Sequence, residues 1–173
     1  MNKRNSPNHR HEKLSKRDTD ESPDPYLNEQ PAKEPAVCSE CGNIYHNKQW
    51  YLPGQVEIKG EEVDEEFVCP GCMKVSDNYY FGELLVSGKF MVPHSDEITH
   101  LIDNEVGRAQ EKNPLQKVVE ATEEEGKVVI RTTNGKLAER LGRALKKAYE
   151  GELEIDKSEQ TTRVFWERND LPE

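Results

Sequence analysis

All four cysteines of the chain fall in two C-x-x-C pairs, Cys38-Ser39-Glu40-Cys41 and Cys69-Pro70-Gly71-Cys72, with 27 residues between Cys41 and Cys69. Two thiolates spaced in this way grip one ion from a tight turn. Two such turns supply four sulfurs in a tetrahedron. Gly42 follows the first turn and Gly71 lies inside the second, where backbone must curl round the sulfurs. The spacing predicts a closed structural zinc site on Cys38, Cys41, Cys69 and Cys72, with no position left open for a substrate. Redox C-x-x-C pairs favour a strand-to-helix setting, which neither pair's flanks suggest. Disulfides require an oxidising compartment, and no secretory segment is apparent. An iron–sulfur cluster uses the same four thiolates, and spacing alone leaves that alternative open.

The metal staple matters because the chain has little else to hold it. Apolar residues make up 33% of its 173 residues and charged residues 34%, too few apolar groups for one large core. The balance predicts a small stapled module beside one compact α/β unit, with a disordered remainder. No apolar run is long enough to span a membrane. The basic N-terminus has no hydrophobic stretch behind it, so a cytoplasmic protein is expected. The net charge of −10 discourages nucleic-acid binding by the molecule as a whole, which leaves its distribution to decide.

Residues 1–35 read as a disordered tail, punctuated by Pro7, Pro23, Pro25, Pro31 and Pro35. Its bases, Lys3 to Arg17, form a block that precedes most of its acids, and such an arm can trace a phosphate backbone or merely solvate the chain. Residues 36–82 read as a zinc ribbon: a strand from Asn43 to Leu52, a break at Pro53-Gly54, renewed extension at Val56 and Ile58, and an acidic loop from Lys59 to Glu66. Tyr45, Trp50 and Tyr51 either stack on bases or form the module's core. His46 is expected beside the metal shell instead of in it. The segment from Asp77 to Gly82 reads as a hinge.

Residues 83–168 carry strand and helix patterns in the order β-α-β-β-α-β plus one further strand, which predicts a ferredoxin-like α+β sandwich, followed by a short tail over 169–173. The first helix opens near Pro93 and Ser95, with Asp96 and Glu97 in its first turn. His94 and His100 flank that start, but without the H-E-x-x-H spacing they predict no second metal site. The second helix runs from Asn134-Gly135 to about Tyr149. At one hundred degrees per residue, Leu137, Leu141, Leu145 and Ala148 share one stripe, and Lys136, Arg140, Arg143 and Lys147 another. From Arg131 to Lys147 there are six bases and one acid, a local reversal of sign. Leucines that fix the helix and cations that face outward predict contact with phosphates through Arg131, Lys136, Arg140, Arg143 and Lys147. Thr132-Thr133-Asn134-Gly135, at the positive end of the helix dipole, reads as an anion site.

The cysteine pairs, together with the stretch from Thr132 to Gly151, resemble a group of small prokaryotic zinc-ribbon proteins. That group is related to the NMD-type adaptor, the zinc-bearing factor for export and late maturation of the large ribosomal subunit. The resemblance covers about residues 36–168 and supports the four cysteines as ligands. It implies association with RNA or the ribosome and no catalytic residue. The larger adaptors carry additional cysteines and domains that this chain lacks. The expectation is therefore a non-enzymatic zinc-ribbon protein that binds structured RNA. The alternative is a protein–protein adaptor whose acidic loop, Glu61 to Glu66, engages a basic partner. No nucleophile elbow, P-loop or open metal site points to an enzyme or to a small-molecule substrate.

Overall fold

The computed structural model describes residues 24–60 and 62–170. The basic arm over Lys3–Arg17, Glu61 and the end of the C-terminal tail lie outside the described residues. The fold is α+β, with a small cysteine-bearing unit docked against a five-stranded sheet that carries two helices.

The cysteine-bearing unit is a three-stranded antiparallel sheet of β1 (Ala36–Val37), β2 (Ile44–His46) and β3 (Gln49–Tyr51), in that order, followed by helix α1 (Pro70–Ser76). The β2–β3 turn puts both Asn47 and Lys48 at positive φ, the primed geometry that matches strand twist in a two-residue hairpin. The renewed strand expected at Val56 and Ile58 does not form. Pairing resumes only at Asp64, which bridges Ala36 in parallel. The second cysteine pair also differs from the expected ribbon. Cys69 is the N-cap of α1, and Pro70 is pre-shaped for its first turn, so this pair opens a helix. The ring contacts of Trp50 with Tyr45 (5.1 Å) and Phe67 (6.1 Å) fill the unit's interior. These aromatics form core, because a module this small has no other apolar bulk.

The larger unit runs β4 (Gly82–Ser87), α2 (Ser95–Lys112), β5 (Val118–Glu124), β6 (Lys127–Thr132), α3 (Gly135–Tyr149), β7 (Glu152–Lys157) and β8 (Thr162–Glu167). The chain order is the expected one, but the sheet order is β5-β6-β4-β8-β7. In a ferredoxin-like sheet the strand after the second helix pairs directly with the first strand. Here β8 occupies that position, parallel to β4, and displaces β7 to the edge. The extra strand is thus inserted, not appended.

Both helices pack on one face. Leu84, Val86, Ile130, Val164 and Trp166 from the sheet meet Ile98, Ile102 and Ala109 of α2 and Leu137, Leu141 and Leu145 of α3. Ala148, expected on this stripe, is exposed. Among the described residues no side chain caps the start of α2. His94 stacks on Phe90 at 4.0 Å and meets Glu97 at 3.1 Å, an ordinary first-turn contact with no metal cluster around it among the described residues.

The segment from Asp77 to Phe81 is packed where a hinge was expected. Phe81 donates its N–H to Thr132 and accepts from Thr162, which extends β4 backwards. Tyr79 packs on both Phe81 and Tyr26. The assignment of residues 1–35 to a tail fails at its last part. Pro25–Asn28 form a 3-10 turn capped by Asp24, and the Tyr26 hydroxyl donates to Asp77 at 2.7 Å, which pushes its pKa up to about 12.

Candidate metal centre and cationic helix

The four cysteine sulfurs all lie within 4.8 Å of one another. Cys41 Sγ and Cys69 Sγ are 3.8 Å apart, far beyond a disulfide bond. Four sulfurs placed about 2.3 Å from one ion in a tetrahedron would be separated by about 3.8 Å. The backbone holds this arrangement. Gly42, at φ +78°, returns its N–H to Cys38 O at 2.9 Å, and the N–H groups of Cys69 and Cys72 donate to the sulfurs of Cys38 and Cys69 at 3.2 and 3.4 Å. The pair opening α1 adds the positive end of a helix, which favours thiolate at the site.

Electrostatics give the reason a cation belongs here. The hydrogen bond from Cys69 draws the Cys41 thiol down to about 4, and the same bond pushes Cys69 up. Burial, then its contact with Cys41, raises Cys72 to about 12. Thiolates this close repel, so some stay protonated unless a cation replaces the protons. Lys117, beside Cys41 and Cys72, is the positive neighbour that favours thiolate at both. The centre borders a cleft of about 850 Å³ between α1, α2 and β5, lined by Cys72, Lys117 and four valines. His46 lies outside the cysteine cluster, with its Nδ1 buried and unpartnered among the described residues.

The metal unit is keyed into the rest of the fold. Asn43 is 2% exposed and donates to Pro114 O at 3.0 Å. Gly71 sits so close to the segment after α2 that a Cβ there would meet Leu115 O at 2.7 Å. Lys74, 4% exposed, is the most consequential residue that pattern reading missed. Its ammonium pairs with Asp24, donates to Thr133 O at 3.0 Å and lies 4.9 Å from the Phe81 ring centroid. It joins the N-terminal segment, α1 and the start of α3 at one buried point. Buried lysine is rare enough that only its position on the inner side of α1 could have signalled it.

The five cations expected to meet RNA do not form one surface. Arg131 is on the sheet face away from the helices, bonded to Glu83 (3.1 Å) and Glu120 (2.9 Å), with its guanidinium over Tyr80. Arg140 is bonded to Glu105 of α2 at 2.9 Å, and Glu105 also holds Arg108. Arg143 reaches Glu139 at 3.7 Å and is well exposed. Lys136 and Lys147 are exposed on α3. Two cations that were not singled out join them: Lys146, exposed on α3, and Lys157 of β7, which bonds Glu139 at 2.7 Å. Register could have found Lys157, had the inserted strand been foreseen.

The anion site expected before α3 is closed. Thr132 and Thr133 are buried, and their hydroxyls donate to Asn134 O and Leu115 O. Asn134 accepts from Leu137 N–H at 2.9 Å as the helix cap. In the acidic loop, Glu62 forms an exposed pair with Lys33 and Lys59 pairs with the preceding Glu57, and Asp64 is used structurally, taking the N–H of Glu66.

No protein-family model, curated protein or solved structure matches the chain. Among the described residues no helix is long and apolar enough to cross a membrane.

Proposed function

We propose that this protein is a non-enzymatic, zinc-stapled binding module of the cytoplasm that contacts structured RNA through α3. The observation that carries the reading is the outward side of that helix. Leu137, Leu141 and Leu145 lock it to the sheet, while Lys136, Arg143, Lys146 and Lys147 stay exposed along it with Glu139 as the single acid. Arg143 and Lys147 lie about 6 Å apart along the axis, one turn apart on the same side of the helix, so both can meet one phosphate strand. The Arg143–Glu139 contact is long and solvated, worth little, and leaves the guanidinium available. Arg131 and Arg140 are better accounted for as structural partners of carboxylates. Zinc suits four thiolates in a rigid tetrahedral setting, and it would act as a brace that sets the orientation of α1 against the sheet. The motif resemblance suggests ribosomal RNA as the partner.

The test is fluorescence anisotropy of the full chain with a structured RNA hairpin across a salt series. The double variant Arg143→Glu, Lys147→Glu should bind at least about tenfold more weakly, with a salt slope reduced by about two. Unchanged affinity and slope would refute the assignment. Co-sedimentation with ribosomal subunits at low and high salt then asks whether the RNA is ribosomal.

A further inference from the structure

We infer that the open face of the five-stranded sheet is a docking surface for a basic, extended protein segment. The inference is independent of RNA contact at α3, because it concerns the opposite side of the sheet. Among the described residues helices cover one face only, and the strand register sorts the side chains of the other into rows. In the central row Leu85 lies between Val129 of β6 and Phe165 of β8. None of the three belongs to the core under the helices, and Phe165 is 38% exposed.

The rows on either side differ. On the side towards the cysteine unit, Arg131 sits between Glu83 and Glu120 and bonds both, so their charge is partly offset. At the β7–β8 end of the central row the charge is one-sided. Glu154 pairs with Phe165, Glu152 pairs with Glu167, and all three carboxylates are exposed. The nearest cation by register, Arg163, is one row away, opposite Asp156.

This pattern selects the occupant. Carboxylates at the end of an apolar row repel phosphate and attract lysine or arginine, which excludes nucleic acid from this side. Strands are about 4.8 Å apart, so the path from Val129 across Leu85 and Phe165 to Glu154 spans about 14 Å. Side chains at i, i+2 and i+4 of an extended segment span about 13 Å. A segment laid across the strands would therefore set two apolar side chains on the row and a cation over Glu154 and Glu167.

The probe is the acetylated octapeptide Lys-Leu-Thr-Leu-Thr-Lys-Lys-Lys, titrated into the full chain at about 0.15 M salt while the methyl resonances of Leu85 and Val129 are followed by NMR. Saturable shifts at those methyls are expected. Phe165→Ser and, separately, Glu154→Lys with Glu167→Lys should each weaken binding about fivefold or more, while the α3 double variant leaves it unchanged. These are surface positions, so circular dichroism should confirm that the variants keep their fold. The inference is overturned if no saturable shift occurs, if those variants bind normally, or if an RNA hairpin shifts the same methyls. Contacts from these methyls to residues 1–23 or to a second copy would equally show the assigned occupant to be wrong.

Discussion

Lys74 carries more structural consequence than any other side chain outside the cysteine cluster. A buried ammonium is tolerated only with partners, and Asp24 and the Thr133 carbonyl supply them. Replacing one member leaves the other charge buried without compensation, a loss of about 3–5 kcal/mol. Lys74→Ala is therefore expected to destabilise the protein by that order in urea denaturation. The double variant Lys74→Ala, Asp24→Ala should recover part of the loss, because it removes both charges. A single-variant cost below about 1 kcal/mol would mean that the junction at Thr133 is held by packing alone. The four cysteines belong to the same scale but were legible from the sequence, since C-x-x-C geometry is local. Lys74 was not legible, because its partners lie 50 and 59 residues away.

Elements were readable where a local period governs them. The leucine stripe of α3 gave that helix to within a residue or two, since it buries one face. The place of β8 between β4 and β7 was not readable. Register and strand order are decided by long-range pairing, which leaves no periodic trace. The cationic ridge of α3 was read as if the helix stood alone, whereas α2 lies beside it and offers Glu105 to Arg140. That contact has a pH signature. Burial alone would raise the Glu105 carboxyl, but the hydrogen bonds from Arg140 and Arg108 outweigh it and hold the pKa below its ordinary value. A carboxylate depressed in the fold contributes stability above its unfolded pKa, about 4.3, and that contribution fades as pH falls through the folded value. Wild-type stability should therefore decline more steeply below about pH 4.5 than that of Glu105→Gln, whereas the two curves should run parallel at neutral pH. Parallel curves throughout would show that the α2–α3 pair contributes nothing through ionisation.

At the scale of the whole molecule, two units of different character share one junction. The larger unit owns a continuous core from Leu84 to Trp166 and needs no metal to bury it. The smaller unit has a short three-stranded sheet, one seven-residue helix and a few aromatics, so its cysteines supply most of the constraint. Its contacts with the larger unit run through Asn43, Gly71 and Lys74 to residues 114, 115 and 133. Removal of the metal should then loosen the molecule unevenly. The purified chain is expected to carry one zinc ion, released by a strong chelator more readily as pH falls and the thiolates take up protons. Hydrogen exchange of the stripped protein should accelerate across residues 36–76 and the segment 114–118, while β4, β6 and β8 remain protected. Loss of protection throughout the sheet would show that the staple supports the entire fold. Unaltered exchange would show that the thiols hold their arrangement without a cation, against the repulsion expected among four thiolates confined within 4.8 Å.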